Sequence, residues 1–302
     1  LANVMLVANL NCDRVLQLKE SLQVGGRHHY QDLGRRLGGG GANSGLALVY
    51  AGHHVALVSQ VGRDETADWL LAEASLKGLN CSLLQRNDIA TPELMLLMTP
   101  DGERTIIRPE RPAFSLGPAP DFSRWNSIYI NSSAEGVEQW AKAALTQQPH
   151  AEQANGKRHA VLVVAQLPKS DSQRPCHVLI TSQSDLDAHI LASGKVTASC
   201  YAAPFQYAQS IAGKSLKYFI VTDGEKGATA YCESGQECVS AVAADVVDTT
   251  GAGDAFAAGV INGLLAELSI TESMTVGAQW AAIAVATASS VPGDEFQAFL
   301  TK

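Results

Sequence analysis

The sequence predicts an α/β fold, a three-layer sandwich in which a mostly parallel central sheet lies between helices, with a small β lid added to it. Three observations carry this. Short apolar runs of buried-strand length recur along the chain at Val4–Leu10, Val55–Val61, Ile128–Ile130, Val161–Ala165, Val178–Thr181 and Phe219–Thr222. Stretches with helical apolar spacing stand between them, which is the order of βαβ units. Two further segments, 14–36 and the residues after Glu93, mix apolar and polar positions around glycine-containing turns, as exposed strands do.

Composition bounds the possibilities. With 302 residues, 46% of them hydrophobic and 17% charged, the chain can bury a large core and is not disordered. A formal charge of -8 leaves no basic footprint, so neither nucleic acid nor a membrane surface is an expected partner. No apolar run reaches the roughly 18–20 residues needed to span a bilayer. Leu1–Leu10 lacks the basic start of a secretion signal, and the six cysteines show no Cys-x-x-Cys spacing and read as reduced thiols. A cytoplasmic protein is expected.

Taken in order, Val4–Leu10 runs into a polar cluster of Asn9, Asn11 and Asp13, at the strand end where open α/β sheets place ligands. Residues 14–36 read as two strands and a turn at Gly25-Gly26. Gly38 to Gly41, then Ala42 and Asn43, lead into a helix over Ser44–Ala51. The glycines let backbone approach a ligand, and the Asn43 amide both donates and accepts. After Val55–Val61 comes a helix through Lys77 with Trp69 and Leu70 facing the core. Glu93–Thr99 and Glu103–Arg108 form a hairpin about Pro100-Asp101-Gly102, with Arg104, Ile106 and Arg108 on one face.

Helices are expected at Glu135–Leu145, Asp185–Leu191 and Ala202–Ala212, an exposed loop over 146–159, and a turn at Thr222–Gly227 before a β-like Ala228–Cys232. A last, Ala-rich helix covers about Glu272–Ser289. The stretch from Asp248 to Gly259 opens a helix over Val260–Leu268. At such a helix start the amides of Gly251, Ala252 and Gly253 are unshielded and lack intrahelical acceptors, so they suit an anion. Asp254 falls in the first turn, where the helix dipole keeps a carboxylate ionised and able to take a proton. Plain capping by Asp248, Thr249 and Asp254 is the other reading of the same residues. There is no Walker or Rossmann phosphate loop, and the histidines show no metal-ligand spacing.

Asp248–Gly259 together with Gly38–Asn43 resembles the ribokinase-like, PfkB-type carbohydrate kinase family, and the likeness runs over nearly the whole chain. It implies one kinase domain over residues 1–302 with lid segments at about 13–36 and 90–112. ATP would be the phosphoryl donor, used with Mg²⁺ on a small sugar. Asp254 matches the general base and Gly251, Ala252 and Gly253 the anion hole. Asp13, Gly39, Gly40 and Asn43 match sugar contacts, although Ala8 stands where the family usually has Gly. Thr222, Gly224, Gly227 and Thr249 fall at the nucleotide site. Near the metal the family has Asn-x-x-Glu; this chain has Gln183-Ser184-Asp185-Leu186, leaving Asp185 to serve.

The family's monovalent-cation site lies around Asp248 and Thr250, and the short chain between Val285 and Pro292 argues against such a cation here. Ribokinase itself has Lys at Gly40 and Glu at Ser133, so ribose loses two expected contacts, and Arg104 or Arg108 could pair with the carboxylate of a sugar acid. A nucleoside kinase and a sugar-binding regulatory protein with weakened catalysis are the alternatives. Unpaired lid edges imply a homodimer formed through the lid.

Overall fold

The structure, a computed structural model, describes residues 1–147, 160–193 and 203–301. The strands are β1 (Asn3–Ala8), β2 (Asn11–Leu18), β3 (Tyr30–Gly38), β4 (His54–Val58), β5 (Gln60–Val61), β6 (Gln85–Arg86), β7 (Glu93–Met98), β8 (Arg104–Ile107), β9 (Ser127–Asn131), β10 (Leu162–Gln166), β11 (Val178–Ser182), β12 (Tyr218–Thr222), β13 (Ala228–Cys232) and β14 (Gly235–Val239). The helices are α1 (Gly40–Tyr50), α2 (Glu65–Leu76), α3 (Val137–Thr146), α4 (Gln183–Ser193), α5 (Pro204–Ala212), α6 (Ala252–Leu265), α7 (Ile270–Val285) and α8 (Asp294–Leu300).

Eight strands form the large sheet in the order β14-β13-β12-β11-β10-β9-β1-β4. Pairing is parallel from β4 through β12, and β13 and β14 are added antiparallel at one edge. The two-residue period of a strand sends successive side chains to opposite faces. In β1, Val4, Leu6 and Ala8 enter one core, whereas Met5 and Val7 enter the other. Strands apolar at every position must be covered on both sides, which is why the runs are continuous. One core packs α1, α2, α6, α7 and α8 through Leu46, Leu70, Phe256, Trp280 and Phe296. The opposite core packs α3, α4 and α5 through Trp140, Leu186 and Phe205.

A second, four-stranded sheet has the order β3-β2-β7-β8. The expected hairpin of Glu93–Thr99 with Glu103–Arg108 is present as β7 and β8. The two halves of this sheet join through β2 and β7 in parallel, starting at Cys12 opposite Glu93.

Boundaries moved for identifiable reasons. Helix α1 begins at Gly40 rather than Ser44 because the Asn9 carbonyl, just past β1, accepts the Gly41 N–H at 2.9 Å. Helix α7 starts at a capping box of Ser269 and Glu272 and stops at Val285, well before Ser289. The Val285 carbonyl accepts instead from Val247 and Asp248, at 2.7 and 3.1 Å. Strand β14 is polar and exposed, and α8 has seven residues held by Phe296 edge-on to Trp280 at 5.0 Å; neither has a run long enough to be expected. Most of the expected loop at 146–159 lies outside the described residues, as do Cys200 and Ala202. Among the described residues the cysteines are free, with Cys12 and Cys176 fully buried, and no helix is long and apolar enough to cross a membrane.

Candidate active site

The C-terminal ends of β1, β9, β10, β11 and β12 open into a cleft of about 720 Å³ that the small sheet flanks with Leu94, Leu96 and Ile106. Asp254 lies in it, half-buried, at the third position of α6. One carboxylate oxygen accepts from the Asn43 amide at 2.9 Å and the other from the Asn131 amide at 3.0 Å. Ser44, the next residue on α1, donates its hydroxyl to the Asp254 backbone carbonyl at 2.9 Å. Helices α1 and α6 are thus tied together at this residue. Desolvation raises the Asp254 pKa, and the two amide donors pull it back toward the ionised form.

The helix start has the geometry of an anion cradle. Gly251 caps α6 in the left-handed conformation at φ 79, and a Cβ on Gly253 would meet nothing within 4 Å. Among the described residues the Gly251, Gly253 and Asp254 amides have no protein acceptor, whereas the Ala252 amide donates to the Thr249 carbonyl at 3.3 Å. Free amides at a helix N-terminus favour a bound anion.

In the same cleft, Asp13 on β2 packs its carboxylate over Gly38, and its buried Oδ1 has no hydrogen-bond partner. Burial raises it to about 6, against the lowering effects of Arg104 and Arg36. The buried Asn43 Oδ1 is likewise unpartnered. Two unfilled acceptors on one cleft wall suit the hydroxyls of a ligand. Gly39 and Gly40 lie between them in the chain, and the backbone itself demands glycine at Gly39. Gly39 has φ 83 and its Cβ would stand 2.4 Å from the Asn9 carbonyl; a Cβ on Gly40 would stand 2.5 Å from the Asn131 amide.

The remaining candidates are placed unevenly. Thr222 and Asp185 line the cleft; Gly224 and Gly227 sit in the turn after β12, and Thr249 is exposed. Asp248 and Thr250 are bridged by the Arg104 guanidinium, which donates to the Asp248 carboxylate and to the Thr250 hydroxyl. Leu186 is buried in the second core, so the position of the family's glutamate faces away from the cleft. Arg108 is exposed and off the cleft wall, which Arg111 lines instead. Asn131 and Arg174 are cleft residues that sequence reasoning missed. Asn131 had a readable signal, a polar residue ending a buried strand; Arg174 sits in an aperiodic connection and had none.

Solved structures with this architecture define the class, a ribokinase-type α/β protein. A ribokinase from Thermotoga maritima superposes with a TM-score of 0.76 at 18% identity, covering 100% of this chain and 99% of that one. A ribokinase from Arabidopsis thaliana, solved with ribose and ATP, superposes at 0.74 with 19% identity, over 100% and 99%. At these identities the likeness is one of fold. The family model described as pfkB family carbohydrate kinase matches residues 2–295, and the chain belongs to that family. The probable fructokinase-6, chloroplastic, of Arabidopsis thaliana is 44% identical over 57 residues, a match spanning 19% of this chain and only 15% of that protein.

Proposed function

We propose that the chain is an ATP-dependent sugar kinase that transfers the γ-phosphoryl group to a hydroxyl of a small carbohydrate. The observation that carries this is Asp254, held by two amides beside free helix N-terminal amides, in a cleft with unfilled acceptors. In this reading Asp13 and Asn43 bind sugar hydroxyls, and Asp254 takes the proton of the attacking hydroxyl. Asn131 and Asn43 keep the carboxylate aimed, and the Gly251 and Gly253 amides stabilise charge on the phosphoryl group. The small sheet acts as a lid that excludes water. The nucleotide extends toward Thr222, Gly224 and Gly227.

Residues at that end fit a magnesium ion carried by nucleotide phosphates. Asp185 supplies one carboxylate on the wall beside Ser182, and Mg²⁺ characteristically takes one or two carboxylates with phosphates and water. When bound, the ion neutralises phosphate charge.

An ATP-consumption assay with Mg²⁺ against pentoses, hexoses, sugar acids and nucleosides tests the reading. Turnover of a sugar is expected. Turnover of nucleosides alone would make it a nucleoside kinase, and silence across the panel a sugar-binding regulatory protein.

We further propose that the protein is cytoplasmic and a homodimer. Edge strands β3 and β8 carry exposed Tyr30, Leu33 and Ile107, and pairing these edges with a second copy would cover them. Sedimentation at micromolar concentration should show a dimer; a monomer would refute this arrangement.

A further inference from the structure

Arg174 lies in the connection between β10 and β11, 2% exposed, and lines the cleft. Its Nη1 donates to the carbonyl of Ser132 at 2.8 Å, while its buried Nε has no partner. Among the described residues it forms no ion pair, not even with Asp13, Asp185 or Asp254 of the same cleft. Burial lowers its pKa only to about 10, so the charge persists at neutral pH. An isolated buried cation is expensive, and a neutral donor could hold the Ser132 carbonyl without that cost. A guanidinium with unused donors at a cleft wall is suited to a two-pronged grip on an oxyanion. Ser132 directly follows Asn131, which holds Asp254, so the grip lies close to the reacting end.

We propose that Arg174 is an oxyanion-binding residue of the cleft, receiving the carboxylate of an acidic sugar or a terminal phosphoryl oxygen of the nucleotide. The assignment of those two sources rests on the kinase reading; the anion site itself does not. Thermal melting of the full chain with orthophosphate and with gluconate tests the site first. Both anions should raise the melting temperature of the wild type. Arg174→Met, relieved of a buried charge, should melt no lower than the wild type without ligand and lose most of the response to at least one anion. Arg174→Lys, which keeps charge but not the fork, should respond weakly. An undiminished response to both anions in either variant would overturn the proposal, and the Lys variant decides if the Met variant does not fold.

Steady-state kinetics then separate the sources. A rise on the order of 10- to 100-fold in KM for a sugar acid, with the matching neutral sugar unaffected, assigns the substrate carboxylate. A similar rise in KM for ATP, whatever the sugar, assigns the phosphoryl group. If neither changes in an active Arg174→Met enzyme, Arg174 only holds the Ser132 backbone and the proposal fails. If no sugar is turned over but the melting response still depends on Arg174, the kinase reading falls and the anion site stands.

Discussion

Asp254 is poised between burial, which favours its neutral acid, and two amide donors, which favour the carboxylate. A proton acceptor needs the second influence to remain intact. Asp254→Asn places an amide where Asn43 and Asn131 expect acceptors and removes the proposed base. It should lower kcat by on the order of 10²–10⁴ while leaving the fold and KM for ATP nearly unchanged. Unaltered turnover would reduce Asp254 to a helix-capping residue. Asp13 yields a pH prediction. Its pKa rises from 3.8 to about 6 on folding, so within that window the folded chain holds a proton that the unfolded chain releases. Stability therefore falls as pH rises through the window, and the full cost remains above it. Asp13→Asn should raise the melting temperature at neutral pH and lose that advantage below about pH 4. In the wild type, 1/KM for the sugar should climb as pH passes about 6, because only the carboxylate accepts hydroxyl protons freely. A flat profile would remove Asp13 from the binding site.

Elements were legible where both faces of a strand are buried and the apolar run is continuous, as in β1, β4 and β11. They were illegible where the local pattern is short or polar: β14 is an exposed polar edge, and α8 is seven residues long, seated on the core through Phe296, Phe299 and Leu300. The site was readable along one segment at a time. Gly39 to Asn43 and Gly251 to Asp254 announce themselves by glycine content, but only the fold shows that Asn131, from a third segment, completes the hold on Asp254. Helix α4 shows how a motif alignment can mislead. Its 100° turn per residue puts Asp185 on the cleft wall and Leu186 in the core. Leu186→Glu would therefore bury an unpaired carboxylate, costing on the order of a few kcal/mol, without easing any need for Mg²⁺. Asp185→Ala should keep the melting temperature and raise the Mg²⁺ concentration required for half-maximal activity. The reverse pattern, a stable and Mg²⁺-sparing Leu186→Glu enzyme, would sink this assignment.

At the scale of the molecule, Arg104 joins the small sheet to the loop that opens α6, two parts separated by 144 positions in sequence. Its guanidinium bridges Asp248 and Thr250, while the Asp248 carboxylate also accepts the Thr250 N–H at 2.8 Å, so β8 and the anion cradle hold each other in place. The same charge lowers the Asp13 pKa across the cleft. A resident guanidinium on Asp248 and Thr250 supplies the positive charge that a monovalent cation would bring, and turnover should be the same in potassium and in tetramethylammonium buffers. Removing that charge has two separable consequences. Arg104→Ala should shift the acid limb of the 1/KM profile upward from about pH 6, since Asp13 loses a cation that favours its ionised form, and should lower kcat because the cradle loop is untied. Arg104→Lys retains the charge but has one ammonium where two diverging donors were used, so it should keep the pH midpoint and still lose kcat. Measuring both variants against pH distinguishes the electrostatic role from the mechanical one; an unshifted profile in Arg104→Ala would rule out the first, and an unchanged kcat in both variants the second.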